Sequence, residues 1–210
     1  MKGRFITVEG GEGAGKTTCM NWVRAWLESR GAPVRVTREP GGTRLGEAIR
    51  TLLLDTREEP PVPMAELLLV FAARAQHLER VIRPTLAQGV WVLCDRFTDA
   101  TYAYQGAGRG LGEGPVALLE RLVQQGLEPD LTLVLDLDPA AGLRRARNRS
   151  APDRFEREAA DFYRRVRAAY LERARRRPER YAVIDAAAPP EAVRAAVERA
   201  LAEHFSGELG

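Results

Sequence analysis

The chain has 210 residues, 45% of them hydrophobic, and 32 Lys plus Arg against 29 Asp plus Glu leave a net charge of +3. That length buries one substantial core and predicts a single domain over 1–210 with a small appended element, not two separate domains. No apolar run is long enough to span a bilayer, and the N-terminus enters a strand with no signal-peptide pattern, which predicts a soluble, cytoplasmic protein.

Phe5-Ile6-Thr7-Val8 reads as a short buried strand, and Gly10-Gly11-Glu12-Gly13-Ala14-Gly15-Lys16-Thr17 follows it. The spacing G-x-x-x-x-G-K-[ST] is a phosphate-binding P-loop. Glycines let backbone N–H groups curl around phosphates, the lysine reaches the terminal phosphates, and the threonine hydroxyl ligates Mg²⁺. From this composition the pattern arises by chance in about one chain in a thousand. Of the 32 basic residues only Lys2 and Lys16 are lysine, so a compact ammonium is kept where the loop needs one. Val23, Trp26 and Leu27 continue a helix that stops at Gly31, giving the strand, loop, helix order the motif requires.

Val34 and Val36 mark a second strand. Thr37-Arg38-Glu39-Pro40-Gly41-Gly42-Thr43 then forms a charged loop at its end, where open parallel sheets bind ligands, although a plain surface loop with a local Arg38-Glu39 pair fits the same residues. Leu45 to Leu54 is a short helix closed by Asp55 and a stiff Pro60–Pro63 connector. Met64 to Leu86 has helical spacing throughout. Phe71 and Arg74, three apart, are neighbours on one face; the ordinary use of such a pair is core plus solvated charge, and the alternative is a clamp for a planar heterocycle.

Val90 to Cys94 is a strand that ends in Asp95-Arg96-Phe97, the place of a Walker-B-type acid beside the metal. Thr98 to Gly110, with Thr101, Tyr104 and Gln105, reads as a polar and aromatic loop suited to a small polar ring. Leu131 to Leu135 is the fourth strand, and Asp138-Pro139 fits a helix N-cap. The helix after it carries Arg144, Arg145, Arg147 and Arg149, and the break at 148–154 makes about 142–156 an Arg-rich lid. A long helix, a fifth strand at Tyr181–Asp185 and a helix from Pro190 complete the chain. Residues 142–180 hold 14 Arg against 6 acids, which suits either a solvated helix face or a nucleic-acid surface. Cys19 and Cys94 suit small buried thiols.

Five apolar strands separated by helices predict an α/β fold with a mostly parallel sheet flanked by helices, in the P-loop NTPase manner. A switch GTPase would need D-x-x-G and N-K-x-D motifs, and with two lysines in the chain the second is missing. Phosphoryl transfer needs chiefly positioning and positive charge around the moving group, and the charged loop, Asp95-Arg96 and the lid favour a small-molecule kinase.

Taken in order, G-G-E-G-A-G-K-T at 10–17, T-R-E-P-G-G-T at 37–43, F-x-x-R-x-x-H at 71–77, D-R-F at 95–97, A-Y-Q-G at 103–106 and D-R-F-E at 153–156 closely resemble the bacterial thymidylate kinase family over nearly the whole chain. The resemblance implies transfer of the ATP γ-phosphoryl group to dTMP, giving dTDP for dTTP synthesis, with Mg²⁺, in a homodimer without nucleic acid. It implies that Gly10 to Thr17 with Thr18 hold ATP, with Arg145 and Arg147 on the adenine side. Phe71 would stack on thymine and Arg74 would reach its carbonyl. Arg96 would hold the acceptor phosphate, Glu12 the sugar side, and Arg38, Glu39, Thr101, Tyr104 and Gln105 the rest of the acceptor site. Thr17 and Asp95 would serve the metal. Two departures stand out: no arginine lies inside the P-loop, so the charge-stabilising one is expected from the lid, Arg149 first, then Arg154 or Arg145; and Phe97 stands where many relatives have tyrosine or histidine. The remaining alternatives are another pyrimidine monophosphate kinase and a nucleic-acid-dependent ATPase.

Overall fold

The computed structural model describes residues 3–56, 59–147, 154–155 and 158–208. Five strands form one sheet: β1 (Phe5–Gly10), β2 (Val34–Arg38), β3 (Trp91–Asp95), β4 (Leu131–Asp136) and β5 (Tyr181–Asp185), in the order β2-β3-β1-β4-β5. Every pairing among them is parallel, so the sheet is wholly rather than mostly parallel. β1 is buried along its length because it is central, whereas the edge strand β2 leaves Arg35, Val36 and Arg38 exposed.

Alternation along β1 sends Ile6 and Val8 to one face and Phe5, Thr7 and Glu9 to the other. The first face packs against α1 (Lys16–Glu28) and α9 (Pro190–His204), through Cys19, Val23, Leu27, Val197 and Leu201. The second packs Phe5 with Leu78, Ile82, Val92 and Phe97, and further along Val134 meets Phe162, Val166 and Tyr170 of α8 (Ala160–Arg176). Each such side chain taken fully out of water contributes about 1.5–3 kcal/mol. Cys19 and Cys94 lie free and buried in these layers, and burial pushes the Cys19 thiol up to about 12.

Two segments depart from the sequence expectation. The helix expected over 64–86 is interrupted: α3 (Pro63–His77) passes through a π-helical stretch, Leu78–Ile82, into α4 (Arg83–Ala87), where Pro84 sits in the first turn and so needs no hydrogen-bonded N–H. The stretch expected as a loop is helical, with α5 (Thr98–Thr101) running into π-helical Tyr102–Gly108. Packing overrides its glycines: Gly108 lies so close to α8 that a β-carbon there would be 2.6 Å from Phe162 Cε2. The remaining helices are α2 (Arg44–Leu54), α6 (Glu113–Gln124) and α7 (Pro139–Arg147). Asp138 caps α7 as expected, its Oδ1 accepting from Ala140 N at 3.0 Å and Ala141 N at 3.2 Å.

Strand order reverses around β1, which lies between β3 and β4. The carboxyl ends of these three strands therefore open onto one crevice.

Candidate active site

The P-loop leaves β1 at Gly10 and enters α1 through Gly15, which takes the left-handed conformation at φ 93°. Gly13 is also left-handed, and a β-carbon on it would lie 2.0 Å from Gly142 O of α7. The loop thus rests directly on the first turns of α7, an approach that only glycine permits. Lys16 Nζ donates to Gly11 O at 2.9 Å and Gly10 O at 3.2 Å, folding the ammonium over the loop. Burial and the nearby Arg96 lower the lysine's pKa, against the pull of Glu12, Asp95 and Glu9. Thr17 and Thr18 are exposed at the start of α1.

A cavity of about 370 Å³ opens beside the loop, walled by Glu12, Gly13, Gly15, Lys16 and Thr17 on one side. Glu39, Arg50, Leu53, Val70, Arg74, Asp95, Arg96, Phe97, Thr101, Tyr104 and Gln105 form the other side. Arg96 takes a left-handed backbone at φ 68°, a conformation that costs a non-glycine residue about 1 kcal/mol or more. Its guanidinium donates to Glu12 Oε1 at 2.6 Å and lies 4.7 Å from the Tyr104 ring centre. Burial works against its charge, yet Tyr104, Glu12, Tyr170 and Asp95 hold its pKa well above the ordinary value. Burial likewise opposes ionisation of Glu12, but Arg96, Lys16 and the Tyr104 hydroxyl prevail and bring it down to about 2.

Glu9 was not singled out by the sequence and explains how Arg96 is held. Its carboxylate is fully buried behind the cavity, accepting from Phe97 N at 2.7 Å and Tyr170 OH at 2.8 Å. Burial and neighbouring Asp99 push it up to about 7, against Arg96, Tyr170 and the Phe97 amide. The Phe97 amide bond pins the strained residue just before it.

On the far wall Glu39 is a buried hub. It accepts from Arg74 Nε at 2.7 Å and from His77 Nδ1 at 3.0 Å, and His77 Nε2 meets Thr37 Oγ1 at 2.7 Å. Arg74 Nη2 donates to Thr101 Oγ1 at 2.9 Å, while its Nη1 is buried with no partner among the described residues. Asp95 Oδ1 is likewise buried and unpartnered. A free guanidinium donor suits a carbonyl oxygen, and a free carboxylate oxygen beside a P-loop hydroxyl suits a hydrated cation.

Several expected site residues are placed elsewhere. Phe71 is not on the cavity wall: it is 2% exposed in a cluster with Leu67, Tyr102 and Val116. The neighbour of Arg74 that faces the cavity is Val70, four residues back on the helix, with Phe97 opposite. The Phe71 ring supports Arg74 instead, which lies between it and Phe97 at 4.8 Å from each ring centre. Arg38 also stays out, pairing with Glu47 at 2.7 Å on the surface. Arg145 donates to Ala186 O at 3.1 Å beyond β5. Arg154 donates through Nε to Leu53 O at 2.8 Å and pairs with buried Glu66. Arg149 and the Arg147 side chain lie outside the described residues, as do Asp153 and Glu156.

Arg50, which also lines the cavity and donates to Pro40 O at 3.1 Å, was missed by sequence reasoning. The signal was present: Gly46, Ile49 and Leu53 form the buried stripe of α2, and Arg50 borders it. Burial and the charges of Arg38 and Arg96 lower its pKa.

The arginine-rich C-terminal half is largely paired with acids. Arg164 meets Asp161, Arg167 meets Asp136, Arg173 meets Asp99, Arg175 and Arg176 share Glu172, and Arg177 takes Glu128 and Glu179. A neutralised face of this kind answers the solvated-helix alternative. Among the described residues no helix is long and apolar enough to cross a membrane.

The chain is similar to known proteins over nearly its whole length. A family model described as Thymidylate kinase matches residues 8–197. The chain is 57% identical over 206 residues to a thymidylate kinase of Hahella chejuensis, covering 98% of this chain and 99% of that one. It is 58% identical over 206 residues to one of Chromohalobacter salexigens, covering 97% of each. A crystal structure of thymidylate kinase from Ehrlichia chaffeensis superposes with a TM-score of 0.76 at 35% identity, over 96% of this chain and 99% of that one. With a P-loop, a facing arginine and a full-length match all on one chain, the protein belongs to the thymidylate kinase family.

Proposed function

We propose that this chain is an ATP-dependent phosphotransferase that moves the γ-phosphoryl group of ATP to dTMP, yielding ADP and dTDP. The observation that carries it is one cavity in which Arg96, Glu12 and Lys16 of the P-loop share the wall with Arg74, whose Nη1 is unpartnered among the described residues. A monophosphate bound with its phosphate on Arg96 presents an oxygen to the γ-phosphorus of ATP held by Gly10 to Thr18. The new P–O bond forms as the bond to the β-phosphate oxygen breaks, and the chain's task is to align the groups and neutralise charge.

In this scheme Lys16 follows the β- and γ-phosphates, Arg50 adds positive charge beside Arg96, and Glu12 meets the sugar side of the acceptor. Arg74, oriented by Glu39 and Thr101, donates to a base carbonyl, and Tyr104 and Gln105 complete the wall. Arg145 and the neighbouring lid arginines would serve the adenine side and supply further charge. Mg²⁺ fits the residues present: Thr17 and Asp95 would hold it, the latter through its unpartnered Oδ1. When bound it would neutralise charge on the transferring phosphates. Among the described residues no three His, Cys, Asp or Glu side chains form a metal cage, so phosphates and water would supply its other ligands.

A homodimer is part of the proposal. Met64 and Leu68 on α3, Leu118 and Leu122 on α6, and Leu45 and Leu52 on α2 stand exposed on helices that pack together, and apolar surface of that extent asks for a partner. Free nucleotides as substrates suit the cytoplasm.

Rates with dTMP, dUMP, UMP, CMP, AMP and GMP, each with Mg-ATP, test the acceptor directly. A preference for any but dTMP would overturn the substrate assignment. ATP hydrolysis stimulated by DNA or RNA, with steep salt dependence, would replace it with a nucleic-acid-dependent ATPase.

A further inference from the structure

Glu66, Val70 and Arg74 are spaced four apart and line one face of α3. Opposite them Thr101 and Gln105, also four apart, are carried by α5 and the π-helical stretch after it. Two polar links join the faces: Arg74 Nη2 to Thr101 Oγ1 at 2.9 Å, and Gln105 Nε2 to a Glu66 Oε1 at 2.7 Å. Glu66 is fully buried, and it also takes Arg109 Nε at 3.2 Å from each of its oxygens and pairs with Arg154. Nothing in the phosphoryl-transfer scheme uses this carboxylate.

A carboxylate gripped by two guanidiniums offers acceptors only. It therefore decides which way the Gln105 amide turns, an orientation otherwise open to either choice. The NH₂ group must face Glu66, and the carbonyl Oε1, which has no partner among the described residues, is what Gln105 presents to the cavity it lines.

We propose that Glu66 is a positioning residue that sets pyrimidine choice: by holding the Gln105 NH₂ it commits that side chain to accepting a hydrogen bond from the base. Beside it Arg74 Nη1 donates. One donor and one acceptor match the O4 and N3–H of thymine or uracil. Cytosine presents the reverse, an amino donor at C4 and a bare N3 acceptor, so it would meet donor with donor and acceptor with acceptor. Sites that hydrogen-bond their substrate discriminate by as much as about 10⁴ when the pattern is broken, because buried polar groups are left unpaired.

This inference rests on the thymidylate kinase reading, and the test separates the two. In Glu66→Gln the single amide oxygen goes to Arg109 and Arg154, leaving an NH₂ toward Gln105, whose amide then turns over and offers its own NH₂ to the cavity. The ratio of kcat/KM for dTMP to that for dCMP is measured in wild type, Glu66→Gln and Gln105→Leu; a ratio taken on one preparation is unaffected by any loss of folded enzyme. Both variants should lower it at least about tenfold, chiefly through KM for dTMP, and in Glu66→Gln the dCMP rate should rise as well. An unchanged ratio in active Glu66→Gln, or in Gln105→Leu where the first variant does not fold, overturns the proposal. Wild type with no preference for dTMP over dCMP would instead overturn the substrate reading beneath it.

Discussion

Arg96 and Glu12 are joined at 2.6 Å across the neck of the cavity, and the strained backbone of the first is pinned through the amide of Phe97 by buried Glu9. A preformed arginine of this kind costs no reorganisation when a phosphate arrives. Arg96→Ala should lower kcat/KM for dTMP about 10²–10³-fold, with KM for ATP little changed. Steady-state kinetics varying each nucleotide in turn checks this, and equal effects on both would place Arg96 elsewhere in the scheme.

The two glutamates of this pair of layers titrate in opposite senses. Glu12, held down at about 2, contributes stability that is present above its unfolded pKa near 4.5 and is lost as pH falls toward 2. Glu9, pushed up to about 7, favours the folded state below about 4.5, and that contribution is lost as pH rises through 7. Urea unfolding across pH 2 to 8 should show Glu12→Gln losing less stability than wild type between pH 5 and 2, by up to about 3 kcal/mol. Glu9→Gln should flatten the profile between pH 5 and 8.

Lys16 caps two loop carbonyls on the cavity wall. Lys16→Ala should cut turnover at least about 10³-fold while circular dichroism and melting temperature stay close to wild type. Chelating divalent metal should abolish transfer with the fold intact. Restoration by Mg²⁺ should need more metal in Thr17→Val, and no such shift would remove Thr17 from the metal's neighbourhood.

Arg154 is tied to Glu66 and Leu53 rather than to the P-loop, which sharpens the choice among lid arginines. Arg149→Ala should depress kcat far more than it raises KM for ATP, because a charge acting on the transition state leaves ground-state binding alone. If Arg154→Ala does so and Arg149→Ala does not, Arg154 must leave Glu66 during turnover.

Charge placed on the exposed α6 leucines tests the dimer. Leu118→Glu with Leu122→Glu should halve the mass seen by light scattering. A mass unaffected by the pair would move the interface off this face.

Much of the fold was written locally. The P-loop spacing, the five apolar strand cores, the Asp138-Pro139 cap and the Gly31 stop depend on neighbours within a few residues, and so they are legible in a linear chain. The strand order was not, because it depends on which faces bury together. Nor was the helical state of 98–108: its glycines and polar residues favour a loop until α8 and α3 cover them.

The site divides along the same line. Sequence alone marked Lys16 at the end of β1 as the place for a triphosphate, since a phosphate cradle is built from consecutive backbone amides. It also named Arg74, Asp95 and Arg96 by motif. Only tertiary structure decided that Val70 rather than Phe71 faces the cavity, that Arg50 joins it, and that Arg38 does not. A helix places neighbours on a face by angle, and which part of that face becomes wall or core depends on what packs against it. Buried Glu9 and Glu66 show this most plainly: each is an ordinary acid in the sequence, and each acquires its purpose from donors 39 or more positions away, because a charge taken out of water must find its partners wherever the fold brings them.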